Sequence, residues 1–461
     1  MRPPKGLPVY DLIDSQKMVQ YMWRYTLHTQ ATQIPFAVAF DEVLDFDLLA
    51  QAVNTEIARN DCLRLRIFRD GLRIRQFFLP EYRPEKLPLK EFASDREQED
   101  CLNADAARKL DVFRGEMFRV ILFRSRDGKC GVYLNVSHMI MDAMAAFIFF
   151  RDLMEVYDCL KTGAPLPKPM GSIEAIIRQE LNDEGHAAFV ERETAVLEEW
   201  MKKDRPPVFC RLNGPKAPDR ERKRRRGPKA ALPPVYMPLF DKAHCVKLRL
   251  SREESAAIDA FVEQNRVSPE WVVQLGLRIR LSQLNRRGND TTFWVLCPRR
   301  RTVTEKRCGG TLASPMPWRE ILPGETTFRQ ALAQMAQSQA FLFRHADVPF
   351  TAMRSSERRL FHANLMQSPN SMMFSYLPLR ENTFGGRRYE FTGYNFGHYV
   401  IPVYTLALRD PATGCYSFTY IHRTHLHTDD EVRRFHEGAV RAILSGIADP
   451  DQTINDIMEG L

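Results

Sequence analysis

The feature that most limits how this chain can fold is an order of strand-like and helix-like runs. It occurs twice, once on each side of a basic stretch, PKAPDRERKRRRGPKA (215–230). In the first half, IPFAVAFDEV (34–43) is extended. DFDLLAQAVNTEIARN (45–60) spaces Phe46, Leu49, Val53 and Ile57 as one helical face. CLRLRIF and LRIRQFFLP alternate as strands, and FASDREQEDCLNADAARKL is helical. EMFRVILFRS and CGVYLNVS bracket RDGK, the signature of a hairpin, and a helix closes the unit. The second half has the same character without visible identity. CVKLRLS, TTFWVLCP, NSMMFSYLPL, YVIPVYTLALRD and CYSFTYIHR are strands. REESAAIDAFVEQN, the Ser-Pro-Glu-opened SPEWVVQLGLRIRLSQLN, TFRQALAQMAQSQAFLFRH and TDDEVRRFHEGAVRAILSGIA are helices. Helices alternating with clustered strands predict an α+β fold, an α/β sandwich. The expected division is 1–165, then a helical and basic Pro-containing connection over 166–240, then 241–461.

Composition narrows the class. At 461 residues, 44% apolar and 27% charged, the chain has ample length for a core. The longest apolar run, near AMAAFIFF, is too short to span a bilayer, so no transmembrane segment is expected. MRPPKGLPVYDLIDSQK lacks an apolar signal core, and the nine cysteines form no Cys-x-x-Cys. Together these predict reduced thiols and a cytoplasmic location, with no disulfide framework and no structural zinc. Much of the +8 net charge sits in 215–230, read as an exposed linker. The sharper reading is an anion site for a nucleotide phosphate, an acidic carrier protein or a membrane surface. No zinc finger, basic zipper or aromatic platform accompanies the charge, so nucleic acid is not an expected partner.

The chemistry is sought at YLNVSHMIMDAM (133–144), where a strand gives way to a helix. A neutral imidazole at His138 has the chemistry to take a proton from a hydroxyl, amine or thiol near neutral pH. It needs a fixed ring, and Asp142 has two ways to help. Within one helical turn the two residues share a face. If the helix begins at Ala143, Asp142 is its N-cap and buttresses the turn. The bland reading is a core histidine beside a capping aspartate.

The segment resembles the His-His-x-x-x-Asp-Gly signature of the condensation-domain and CoA-dependent acyltransferase superfamily. Here it reads Ser137-His138-Met139-Ile140-Met141-Asp142-Ala143. DFDLLAQAVNTEIARNDCLRLRIF resembles the family's early helix and arginine-bearing strand, with Leu63, Arg64 and Arg66 in matching places. WVLCPRRRTVTEKRCGGTLASPMPW, NSMMFSYLPL and the closing strands and helix follow in the family's order. The resemblance implies two chloramphenicol-acetyltransferase-like halves with an active-site tunnel between them. It makes His138 the general base or positioner of the nucleophile. Asp142 becomes a structural carboxylate paired with an arginine from Arg299, Arg300 or Arg301. Ser137, Ser375, Tyr376, Asn395 and His398 are candidate tunnel-lining residues, and Ser375 a candidate oxyanion donor. Ser137 replaces the first histidine, Ala143 the glycine, and Tyr376 stands where asparagine is usual.

The expected function is acyl transfer from a thioester to a small-molecule alcohol or amine, in secondary metabolism. The donor is acyl-CoA or an acyl or peptidyl carrier protein. The thioester of coenzyme A or phosphopantetheine is a co-substrate, and no resident cofactor is expected. The alternative is a non-catalytic condensation-like module that binds a carrier protein or another partner. His422, His425 and His427 lie in IHRTHLHTDD. On a strand, His425 and His427 would share a side with His422 opposite; the expected reading is strand-end surface histidines, with no metal. Arg64 and Arg66 alternate with Leu63 and Leu65, which suggests one core ion pair.

Overall fold

The computed structural model describes residues 1–82, 86–204, 209–214, 238–285, 288–364, 370–379, 383–394 and 396–461. The basic stretch 215–230 lies outside the described residues. The chain forms two compact units. The first holds residues 1–187, 298–313 and 380–397, and the second holds 188–297, 314–379 and 398–461. The units are therefore not the contiguous spans expected, 1–165 and 241–461. Two segments from the C-terminal part of the sequence return to the first unit.

The first unit is built on a six-stranded mixed sheet, in the order β12-β13-β2-β7-β6-β5. Its strands are β2 (Gln33–Phe40), β5 (Leu89–Glu91), β6 (Phe118–Arg124), β7 (Cys130–Ser137), β12 (Thr383–Phe384) and β13 (Arg387–Gly393). β13 lies antiparallel to β2, with Phe391 opposite Val38, and this pairing is what binds the returning segment 383–393. β5 is parallel to β6, and the remaining pairs are antiparallel.

Strand alternation divides the side chains of this sheet between two covers. Ala37, Tyr133, Ile121 and Phe123 join Leu102 and Ala106 of α4 (Asp95–Ala107) in one core cluster. Phe36 points the other way, and its ring meets Phe150 of α5 (Ala143–Thr162) at 5.6 Å, edge to face. Because both faces are covered, every residue of β7 is buried. Each large apolar side chain so buried contributes about 1.5–3 kcal/mol. That anchors the strand whose end carries the site.

A smaller sheet, β1-β4-β3, joins β1 (Tyr10–Asp11), β3 (Leu65–Asp70) and β4 (Arg73–Phe78). Helix α1 (Asp14–Met22) follows β1 directly. After α2 (Phe46–Arg59), the run CLRLRIF divides into α3 (Asp61–Arg64) and β3, so Arg64 ends a helical turn instead of alternating in a strand. Arg66 is buried on β3, but its described partners are not a carboxylate. It donates to the Leu63 and Leu65 carbonyls at 3.0 and 2.8 Å, and its guanidinium lies 4.3 Å from the Tyr82 ring. Carbonyls and a π-face thus take the place of the expected ion pair.

The second unit has its own six-stranded sheet, β10-β9-β11-β14-β15-β8. Its strands are β8 (Ala243–Arg249), β9 (Asp290–Cys297), β10 (Ser314–Ile321), β11 (Met373–Leu377), β14 (Val403–Arg409) and β15 (Tyr416–Arg423). β11 runs parallel to both its neighbours, and the other pairs are antiparallel. The helix Pro269–Leu284 starts as Ser-Pro-Glu predicts: Ser268 Oγ accepts from the Glu270 amide at 3.2 Å. Gly276 lets this helix approach the helix Asp429–Ala448 closely. A Cβ there would fall 2.8 Å from the Ala439 carbonyl oxygen and still nearer Ile443. Both units mix helices with mixed sheets, as an α+β sandwich requires. Among the described residues no helix is long and apolar enough to cross a membrane.

Candidate active site

β7 ends at Ser137, and α5 begins at Ala143. Between them the chain makes the turn that carries His138. Of the two ways Asp142 could serve the turn, the structure adopts the N-cap. Asp142 has extended backbone angles (φ −104°, ψ 174°), and its Oδ1 accepts from the Ala145 amide at 2.8 Å.

The same carboxylate is held on every side. Arg300 Nη2 donates to Oδ1 at 2.8 Å. The Leu312 and Ala313 amides donate to Oδ2 at 2.9 and 3.0 Å. Both charged side chains are nearly out of solvent, at 4% exposure for Arg300 and 2% for Asp142. Burial works against the charge on Asp142. The guanidinium and the three amides outweigh it and hold the carboxyl below its ordinary pKa.

Arg300 is itself fixed by carbonyls. Nη1 donates to Glu305 O and Cys308 O, both at 2.7 Å, and Nη2 to Gly310 O at 2.9 Å. Its neighbours serve elsewhere. Arg299 takes a left-handed backbone (φ 50°), and Arg301 is exposed, its amide donating to Glu305 Oε2 at 2.8 Å. Of the three arginines in the sequence, Arg300 is the one that meets Asp142.

His138 is tied down through its backbone. Its amide donates to Thr32 O at 2.9 Å, and the Thr311 hydroxyl donates to its carbonyl at 2.5 Å. Thr311 is buried, and its own carbonyl accepts from Ser15 Oγ at 2.8 Å. One residue on, Gln16 Nε2 donates to Met139 O at 3.1 Å and exchanges amide bonds with Gln76 at 2.7 Å. Ser137 Oγ accepts from the Met139 amide at 3.3 Å, so its hydroxyl also serves the turn. The imidazole is partly buried, and Nδ1 has no hydrogen-bond partner among the described residues. Burial depresses the imidazole pKa, while the Asp142 carboxylate and the residue's own carbonyl oppose that shift. The net effect favours the neutral form of the ring.

Ser375 and Tyr376 lie on β11 of the second unit, Ser375 buried and Tyr376 half-buried with its phenol pKa raised by burial. His398 also belongs to the second unit, where Nδ1 is 2.9 Å from Asp241 Oδ1. Asn395 lies outside the described residues. The residues that sequence reasoning missed are Thr311, Ser15, Gln16 and Gln76. Each reaches the turn from a distant segment, and none belongs to a local pattern.

β15 ends at Arg423, which changes the geometry expected of the three late histidines. His425 and His427 follow the strand instead of continuing it. His425 lies beside Phe240 at 5.8 Å, and His427 is buried. His422 remains on β15 and faces His244 of β8. This pair meets Asp429, and among the described residues of the second unit it is a cluster of metal-ligating type.

Comparison with known proteins gives consistent relatives. Residues 8–177 match the family model described as the condensation domain. The chain is 21% identical to Surfactin synthase subunit 1 of Bacillus subtilis (strain 168) over 97% of its own length, but spans only 12% of that protein. In structure it is similar to the first condensation domain of the calcium-dependent antibiotic synthetase in complex with a substrate analogue. That similarity has a TM-score of 0.81 at 17% identity and covers 97% of this chain and 98% of the other. It is also similar to a mutant starter condensation domain of rhizomide synthetase in complex with C8-CoA. There the TM-score is 0.80 at 16% identity, with 97% and 96% covered.

Proposed function

We infer that this chain, whose residues 8–177 match the condensation-domain model and whose fold is like that of condensation domains, is an acyl-transferring enzyme with His138 as general base. The observation that carries this reading is the fixed turn. A partly buried imidazole, its pKa depressed by burial, sits at a strand end, and the loop bearing it is locked by the Asp142–Arg300 pair.

The reaction is direct transfer. Nε2 of His138 takes the proton from an amine or alcohol as its nitrogen or oxygen attacks the thioester carbonyl. The carbon–sulfur bond then breaks, and the proton is returned to the departing thiolate. No covalent enzyme intermediate is required. The thioester belongs to coenzyme A or to the phosphopantetheine arm of a carrier protein. The C8-CoA held by the starter condensation domain supports a thioester of this kind as donor. The synthetase relatives support a carrier-borne donor and a product joined by an amide or ester. The step calls for no resident cofactor.

The second reading is a non-catalytic module that binds a carrier protein. Ser137, which stands where the family has its first histidine and whose hydroxyl is engaged in the turn, favours it. One experiment separates the two. The chain is incubated with panels of acyl-CoA and acyl-carrier thioesters plus amine or alcohol acceptors, and free thiol and product are followed. Acceptor-dependent thiol release that disappears in His138→Ala supports catalysis. Carrier binding without release from any donor supports the module.

A further inference from the structure

We propose that His244, His422 and Asp429 form a binding site for a divalent transition-metal ion of the zinc class. The site joins the edge strand β8 to β15 and to the start of the helix Asp429–Ala448. It lies wholly in the second unit and is separate from the His138 turn.

The argument begins with register. His422 and His244 are directly opposite in the antiparallel β15–β8 pair, so their side chains leave the same face of the sheet. Asp429 follows His422 by seven residues, after the chain has turned from β15 into the helix. His244 Nδ1 and His422 Nε2 each lie 2.8 Å from Asp429 Oδ1, and all the potential ligand atoms are within 4.8 Å of one another.

The carboxylate is not consumed by helix capping. Thr428 takes that role: its hydroxyl accepts from the Glu431 amide at 3.2 Å, and Glu431 Oε2 accepts from the Thr428 amide at 3.1 Å. Asp429 is thereby left to face the two imidazoles.

Two imidazole nitrogens and one carboxylate oxygen suit Zn²⁺ and its neighbours, and disfavour Mg²⁺ or Ca²⁺, which prefer oxygen-only sets. At metal–ligand distances near 2.1 Å, tetrahedral ligands stand about 3.4 Å apart. The observed 2.8 Å separations need to open by about half an ångström to accept the ion. His244 is 55% exposed on an edge strand, so its side chain has room to adjust and solvent has access for a fourth ligand. His422 is 1% exposed and fixed by the sheet, which sets the direction of the site.

An ion held here is structural. It clips an edge strand, whose outer side has no neighbour in its own sheet, to the last long helix. The test uses the full chain, stripped with a chelator, and Co²⁺ as a spectroscopic probe with Zn²⁺ as competitor. The expected result is saturable Co²⁺ binding with a tetrahedral visible spectrum, displaced by Zn²⁺, and a Zn²⁺-dependent rise in melting temperature. His244→Gln and Asp429→Asn should each weaken that binding by about tenfold or more, since even outer-shell losses cost 10–100-fold. His398→Gln, which alters a different histidine–aspartate pair of the same unit, should leave it intact. Circular dichroism checks that each variant is folded. The proposal is overturned if folded His244→Gln and Asp429→Asn retain parental affinity, if His398→Gln removes the ion, or if the parent binds no Co²⁺ saturably.

Discussion

Arg300 and Asp142 meet through a single 2.8 Å bond, and each is held as well by backbone groups the other does not provide. The two Nη groups of Arg300 also donate to the carbonyls of Glu305, Cys308 and Gly310. Asp142 takes amides from Ala145, Leu312 and Ala313. The pair is therefore the knot that ties residues 298–313 to the β7–α5 turn. Its charges are buried, so the ion pair and the backbone hydrogen bonds around it offset desolvation, and losing one partner strands the other.

The first prediction follows from that asymmetry. Asp142→Ala leaves a guanidinium buried without its counter-charge and removes a helix cap, so unfolding should become easier by about 3–5 kcal/mol. Arg300→Met should destabilise comparably by stranding the carboxylate. The double variant should cost less than the sum of the singles, because neither charge is then alone. Denaturant titration of all four proteins measures the coupling, and strict additivity would contradict the pairing. The pH sense is also fixed. Because the Asp142 pKa is depressed in the fold, its stabilisation is present above its unfolded value of about 3.9 and is lost as pH falls through the folded value.

His138→Ala should behave in the opposite way. No described hydrogen bond is lost from Nδ1, and the loop is held by backbone groups. Melting temperature should scarcely move, while acceptor-dependent thiol release falls about 10²–10⁴-fold. Burial depresses the imidazole pKa, so the neutral base persists to lower pH than in a free histidine. The acid limb of kcat/KM should therefore fall below about 6.5. A limb at or above that value would remove His138 from the role.

These two residues also mark how far the sequence was legible. Strand period and turn chemistry placed β7, the hairpin before it and the helix after Asp142, because all three are local patterns. Choosing Arg300 among three adjacent arginines was beyond sequence, since it depends on the left-handed backbone at Arg299 and on carbonyls from 305–310. β13 escaped notice because it pairs with β2 some 350 residues earlier in the chain, and only a backbone register records that. The run CYSFTYIHR ends where β15 does, at Arg423, but the residue opposite His422, His244 on β8, is a pairing that no local pattern records.

Thr311 is predicted to be a positioning residue. Its hydroxyl donates to the His138 carbonyl, and its backbone is held by Ser15. Thr311→Val keeps the shape but removes the donor, so kcat should fall about tenfold to a hundredfold by misplacement of the turn, with KM for the donor little changed. Thr311→Ser restores the hydroxyl and should recover most of the rate. Equal activity of the Val and Ser variants would show that the hydroxyl does not position the histidine.

The last prediction concerns a buried acid that catalysis does not use. Glu56 on α2 is fully buried, and its Oε2 accepts from Asn60 Nδ2 at 2.7 Å. Arg59 offers only loose charge contacts, with Nε 3.6 Å from Glu56 Oε1 and Nη2 3.6 Å from Asp152 Oδ2. Burial, and then the neighbouring Asp152 carboxylate, push the Glu56 pKa well above the usual range, and Arg59 only partly opposes them. The proton is therefore favoured in the fold. For a raised pKa the stabilisation is complete below the unfolded value of about 4.3 and is lost as pH rises toward the folded value. Glu56→Gln reproduces the protonated acid in shape and keeps an oxygen for Asn60. Its melting temperature should match the parent below about pH 4.3 and exceed it increasingly as pH rises toward the folded value, by about 2–4 °C for each kcal/mol recovered. Parallel melting curves for parent and variant across that range would show that Glu56 is ionised in the fold and satisfied as a charge.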